Sequence, residues 1–264
     1  MINDVCLTPL FLDHPVPGLE ALVEPGWTVH QPILSASDCL KRMSAVHQSL
    51  AGWVEKTVGQ GRRPVSIAGD CCTAIGVLAG LQRSGIDPAL IWFDAHGDFN
   101  TPETTPSGFL GGMPLAMMVG RGDLTLPEAV GLVLLPENQV ILTDARDLDP
   151  GEADALAQSE VTLLADPGDL LAYDLPDGPL YVHFDVDVVA LEESPAQNYP
   201  AAGGPTAACL HAVFGHLAKT GRVAAVSVST WNPDLDRDRR SETVSMDLLR
   251  TLIGRKGTKS IEGA

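Results

Sequence analysis

The chain has 264 residues, 45% hydrophobic and 5% aromatic, enough to bury one large core, and no stretch reads as a linker, so residues 1–264 are expected to form a single domain. Its 34 acidic residues against 17 Lys and Arg give a net charge of −17. Such a charge argues against nucleic acid and membrane partners and leaves a small molecule as the expected one, although solubility alone would also favour acidity. No apolar run is long enough to span a membrane, and the start Met1-Ile-Asn-Asp-Val-Cys-Leu lacks a basic and apolar leader pattern. Cys6, Cys39, Cys71, Cys72 and Cys209 are an odd set without disulfide spacing, so a cytoplasmic location is expected.

In chain order, Ser35-Ala-Ser-Asp38 can cap a helix whose apolar positions Leu40, Met43, Val46, Leu50 and Trp53 recur every three or four residues. Short runs rich in β-branched residues predict strands at 65–68, 89–93, 139–143, 161–164, 180–187 and 223–229. Residues 206–217 and 241–253 read as further helices, and the Thr/Pro/Gly-rich stretch 100–114 as a loop over the site. This alternation predicts an α/β fold with a mostly parallel sheet covered on both faces, its ligand beyond the carboxyl ends of the strands.

The polar residues collect at those ends. Asp94-Ala-His96-Gly-Asp98 places three candidate ligands at spacing two, and Asp185-Val-Asp187 repeats the pattern on another strand; in extended chain such residues share a side. Four carboxylates and an imidazole brought together would repel without cations. Two divalent ions would neutralise them, Mn²⁺ suiting this donor set, and would supply a hydroxide nucleophile at neutral pH. A lone Asp-x-Asp is usually a turn or cap; two such clusters, each ending an apolar strand, outweigh that reading.

Asp94 to Asn100 matches the Asp-Ala-His-x-Asp-x-Asn pattern, and Phe184 to Asp187 the Phe-Asp-x-Asp pattern, of the ureohydrolase (arginase/agmatinase) family, which the sequence resembles over about residues 65–233. The resemblance implies the three-layer α/β/α arginase-like fold and two Mn²⁺ per chain. It implies that Asp94 and Asp185 bridge the metals, that Asp98 completes the first site and also moves protons as the catalytic residue, and that His96 and Asp187 complete the second. The loop with Asn100, Thr105 and Ser107 is similar to the arginase loop that binds an amino acid's α-carboxylate. The segment Arg146-Asp-Leu-Asp149-Pro-Gly-Glu152 is similar to the one that holds the α-amino group through Asp149 and Glu152. The same Asp-Pro-Gly-Glu is good helix-cap chemistry, and both readings can hold together.

Four positions depart from the family pattern. The first His ligand falls on Cys71, a soft donor that suits Mn²⁺ poorly, so the first metal site is expected to be weak or to accept another metal, unless Cys71 is only a small buried residue. The arginase proton-shuttle His falls on Gly111, the Glu that pairs with the guanidinium on Thr230, and an Asn of the carboxylate loop on Phe109. A neutral N-hydroxyguanidine needs no buried carboxylate partner, and the Thr230 hydroxyl would suffice. The Cys-for-His exchange also resembles the family branch that converts Nω-hydroxy-L-arginine to ornithine and hydroxyurea in specialised metabolism of the D-cycloserine kind. That guanidino amino acid is therefore the expected substrate, with arginine, another guanidino compound and a non-catalytic ligand-binding homologue as alternatives. His183 is read as a packed strand residue rather than a ligand, Tyr199 as a pocket wall or plain loop aromatic, and Trp231 as pocket floor or core. Cys72 and Cys209 are read as core, and His14, His30, His47, His211 and His216 as surface or satisfied polar residues. A monomer and a homo-oligomer are both open, and residues 254–264 read as a frayed polar tail.

Overall fold

The computed structural model describes residues 1–35 and 38–254; the tail expected to fray, from residue 255 on, lies outside them, as do the two middle residues of the predicted helix cap. β1 (Ile2–Thr8) opens the chain, followed by a hairpin of β2 (Leu10–Phe11) and β3 (His14–Pro15), and by β4 (Thr28–Val29). α1 (Cys39–Gly59) leads to β5 (Arg62–Ala68), and α2 (Thr73–Arg83) to β6 (Ala89–His96). The short α3 (Pro114–Met118) and α4 (Thr125–Val130) precede β7 (Val140–Asp147), α5 (Pro150–Ala157) and β8 (Thr162–Leu164). β9 (Leu180–Asp185), α6 (Ala207–Lys219), β10 (Val223–Ser229) and α7 (Arg240–Leu252) complete the order.

Eight strands form one sheet in the order β4-β1-β5-β10-β9-β6-β7-β8, and every pairing in it is parallel. Side chains alternate across it. Ile91 and Phe93 of β6 pack into one core with Phe214, Leu217 and Leu249 of α6 and α7. Leu90 and Trp92 pack into a second core with Met43, Leu50, Ile75 and Leu78 of α1 and α2. This is the three-layer α/β/α architecture expected, with both faces of a parallel sheet buried. Among the described residues, no helix is long and apolar enough to cross a membrane.

Each predicted strand is present, most with shifted boundaries: β5 starts at Arg62 rather than 65, and β6 and β7 run on to His96 and Asp147 rather than 93 and 143. The strand predicted at 180–187 stops at Asp185, and Val186–Val188 is a 3-10 turn that begins where the Asp185 carboxylate accepts from Asp187 N at 2.9 Å. Asp38 caps α1 by accepting from Lys41 N at 3.1 Å. α2 lay outside the predicted set. It is buried around nearly its whole circumference, because Gly76 and Gly80 let it press on α1: a Cβ at Gly80 would overlap Val54 and Ala51 O. Glycine at two of its eleven positions lowers its intrinsic propensity.

Candidate metal centre and substrate pocket

The carboxyl ends of β5, β10, β9, β6 and β7 are neighbours in the sheet, and the segments leaving them converge on one cavity of about 170 Å³. Cys71 follows β5, Asp94 and His96 end β6, Asp185 ends β9 and Thr230 follows β10; all five line the cavity with Asp98 and Asp187.

The ligating atoms of Asp94, His96 and Asp187 lie close enough to share an ion, as do those of Cys71, Asp94, His183 and Asp185. His96 Nδ1 is 3.3 Å from Asp94 Oδ1 and 3.2 Å from Asp187 Oδ2. Cys71 Sγ donates to Asp185 Oδ2 at 2.7 Å and lies 3.1 Å from Ser229 Oγ. The shared-side rule accounts only for Asp94 and His96. Asp187 reaches the cavity from the 3-10 turn, and Asp98 from a left-handed residue at φ 49° beyond the end of β6. Gly97 is needed there, since a Cβ would crowd the Glu152 carboxylate and Leu148. His183 belongs to the group with Cys71, Asp94 and Asp185 by distance only. Its Nδ1 is 2.7 Å from Ser227 Oγ, its Nε2 3.3 Å from Ser229 Oγ, and its ring stacks on Trp92 at 3.7 Å, as a packed strand residue does.

These acids are buried almost completely. Burial, and then the charges of neighbouring carboxylates, hold Asp98 and Asp185 well above the usual range, and push Asp187 up to about 6. Burial acts the same way on Asp94 and is the largest single influence, but the side-chain hydrogen bond, charge and backbone N–H of His96 together outweigh it and leave this group below its ordinary value. Burial lowers His96, yet hydrogen bonds to Asp187 and Asp94 outweigh it and carry the imidazole up to about 12. Burial and the Asp185 charge push the Cys71 thiol up. Asp98 Oδ2 is buried with no hydrogen-bond partner. A buried carboxyl oxygen without a hydrogen-bond partner, among carboxylates that raise one another's proton affinity, fits divalent cations, and the carboxylate and imidazole donors fit hard or borderline ones. Asp94, His96 and Asp187 could hold one ion; Cys71, Asp94, Asp185 and Asp98 line the cavity where they could hold another.

Asn100, Thr105, Ser107, Asp149 and Glu152 also line the cavity. The oxygens of Thr105 and Ser107 accept from Gly108 N at 3.1 Å and Phe109 N at 3.2 Å, and the two hydroxyls lie 3.4 Å apart, so one donates to the other and the second proton is left to donate outward. Asn100 Nδ2 donates to Asp149 Oδ2 at 3.0 Å, tying the two halves of the pocket together. Glu152 accepts from Phe99 N at 2.8 Å and Asp149 N at 3.3 Å, so the capping box read from the sequence is formed and sits at the pocket. Thr230, at φ 66°, donates its hydroxyl to Asp185 rather than leaving it free for a ligand. Tyr199 is a pocket wall, whereas Trp231 is buried core, donating to Asp236 at 2.8 Å.

Phe11, Asp70 and Asp147 complete the lining and were missed. Phe11 arrives on a two-residue strand with no detectable period, and the Gly69-Asp70 and Asp147 positions carried only the signal of strand ends. His30 and His47 correct another expectation: both are buried, and each keeps one ring nitrogen without a partner. Cys72 is core and Cys209 packs at its margin.

The Arginase family model matches residues 28–254. The arginase of Bacillus subtilis (strain 168) is 30% identical over 262 residues, covering 90% of this chain and 88% of that protein. The N(omega)-hydroxy-L-arginine amidinohydrolase of Streptomyces lavendulae is 32% identical over 188 residues, covering 70% and 66%. A crystal structure of arginase from Bacillus subtilis superposes with a TM-score of 0.82 at 26% identity, covering 98% of this chain and 100% of that one. With its parallel sheet and its acidic clusters at the strand ends, the chain belongs to the arginase family and is a hydrolase of the ureohydrolase type.

Proposed function

We propose that this enzyme is a manganese-dependent amidinohydrolase that cleaves the guanidino group of Nω-hydroxy-L-arginine to L-ornithine and hydroxyurea. The observation that carries the choice lies at positions 111 and 230. Gly111 has no side chain and Phe109 covers it, while Thr230 gives its hydroxyl proton to Asp185. Neither position supplies a carboxylate to pair with a guanidinium, so desolvating that cation would go uncompensated there. An N-hydroxyguanidine is much less basic, enters neutral and avoids the cost. The likeness to the Streptomyces lavendulae amidinohydrolase supports the same substrate.

Asp94, Asp98, Asp185, Asp187, His96 and Cys71 would hold the cations, which supply a water acidified to near neutrality. Thr105, Ser107 and Asn100 donate to the substrate α-carboxylate, and Asp149, braced by Glu152, receives the α-ammonium. Water adds at the guanidino carbon, the bond from that carbon to the ornithine nitrogen breaks, and the nitrogen takes up a proton. Asp98 accepts the proton from the attacking water and passes it to that nitrogen; it lines the cavity and keeps one oxygen free of hydrogen-bond partners for this. Arginine is the second reading, favoured by the likeness to the Bacillus subtilis arginase.

Side-by-side assays with Mn²⁺, following ornithine, test the choice. Hydroxyarginine is expected to exceed arginine in kcat/KM by at least about tenfold. Faster turnover of arginine overturns the substrate. Metal binding without turnover of either compound points instead to a ligand-binding homologue.

A further inference from the structure

Three aromatic rings from separate segments meet at the cavity: Phe11 of the β2–β3 hairpin, Phe109 of the loop before α3, and Tyr199 of the loop after β9. Phe11 and Phe109 stack with centroids 6.2 Å apart and planes 13° apart, and the Tyr199 ring lies 5.2 Å from that of Phe109. Each segment is fastened. Gly69 N donates to Leu10 O at 2.9 Å and Leu12 N to Asp70 Oδ2 at 2.7 Å, which pins the hairpin to the loop carrying Cys71. Phe109 O accepts from Gly112 N at 3.3 Å. Beside Tyr199, Asn198 accepts from Asn232 at 2.6 Å and Gln197 bridges to Trp231. The Phe109 ring also fills the space of the side chain absent at Gly111, where a Cβ would overlap its Cε1 and Cζ atoms.

A ring held this way offers a flat face, excludes water and supplies no counter-charge. Such a surface suits another flat, delocalised group, which can stack on the ring face. We propose that Phe109 is a specificity-determining residue whose ring receives the planar guanidine-type group of the substrate, and that Gly111 is required because the ring occupies its side-chain position. The chemical class rests on the amidinohydrolase reading; the coupling of positions 109 and 111 does not.

The test is a double-mutant cycle on the Mn²⁺-loaded full chain, paired with calorimetry of L-ornithine, which lacks the guanidine group. Phe109→Ala is expected to lower kcat/KM for Nω-hydroxy-L-arginine by about tenfold or more and to leave ornithine affinity unchanged within about twofold. Phe109→Tyr keeps the face and retains turnover. Gly111→Ala is expected to lose about as much as Phe109→Ala, and the double variant to be no worse than Phe109→Ala alone. Equal loss of ornithine affinity and turnover in Phe109→Ala would show that the ring only supports the carboxylate loop and would overturn the proposal. So would a Gly111→Ala penalty of the same size with and without Phe109. If the parent enzyme prefers arginine, the cycle is read with arginine, and the substrate assignment fails separately from the coupling.

Discussion

Asp98 combines three costs in one side chain: a left-handed backbone, burial, and an oxygen with no donor. Asn is nearly isosteric and tolerates the left-handed conformation, so Asp98→Asn removes the charge with little change in backbone. In chelator-treated protein the variant is expected to melt higher than the parent, because one member of a repelling buried group has been neutralised. With Mn²⁺ the order reverses. A ligand at a hundred times its Kd stabilises by about 2.7 kcal/mol, so a hundredfold weaker site loses most of the metal-induced rise in melting temperature. Turnover is expected to fall on the order of 100-fold or more through the lost proton transfer. Melting curves with and without Mn²⁺ and a steady-state assay check these outcomes; an equal Mn²⁺-induced shift in parent and variant would remove Asp98 from the metal site.

β7 shows how one element positions the chemistry of another. Its register against β6 slips by a residue, with Asp94 opposite Asp144 but His96 opposite Asp147, and Asp144 and Ala145 both adopt positive φ. The irregularity aims Arg146 at the turn after β9. Its guanidinium donates to Asp187 O at 2.9 Å, Val188 O at 3.1 Å and Ala201 O at 3.2 Å, and it pairs with Asp144. One side chain thus clamps the turn that carries Asp187 to the loop that carries Tyr199. Arg146→Ala leaves the buried Asp144 without a partner and is expected to cost about 3–5 kcal/mol in urea unfolding, with weaker Mn²⁺ binding. Arg146→Lys keeps the charge but lacks the planar fork, so an intermediate loss is expected; full stability in the Lys variant would show that charge, not geometry, holds the turn. This clamp was illegible in the sequence, where Arg146 read only as part of a resemblance, because bulges and positive-φ residues leave no periodic trace. The same limit separates what could be read from what could not. Strands with continuous apolar runs were found, and the acidic residues at their ends line one cavity. β1 escaped because its first residues are exposed or half-buried and break the run, α2 because two glycines lower its helix propensity, and Phe11 because its strand is two residues long.

At the scale of the whole molecule, the layer that buries α1 against the sheet also buries two histidines. His30 is 8% exposed, with Nδ1 3.1 Å from Thr8 Oγ1, and His47 is 1% exposed within α1. Burial lowers His30 to about 4, and burial together with the nearby His30 lowers His47 to about 3. In the unfolded chain each titrates near 6.5. Between the folded and unfolded values the unfolded chain binds more protons, so stability rises with pH across that window. The stabilisation is fully present above about pH 6.5 and is lost as pH falls toward 3 to 4. From pH 7 to pH 5 the loss is about 2 kcal/mol for each histidine, a large share of the roughly 5–15 kcal/mol that holds a folded domain together. Asp98 and Asp185, held above the usual range, push the other way as pH falls, so the wild-type slope alone mixes the two effects. His47→Leu separates them. In urea unfolding at pH 7 and pH 5, the variant is expected to lose about 2 kcal/mol less than the parent between the two pH values. Parallel slopes for parent and variant would mean that His47 is already protonated in the folded protein, and that the layer between α1 and the sheet admits a charge.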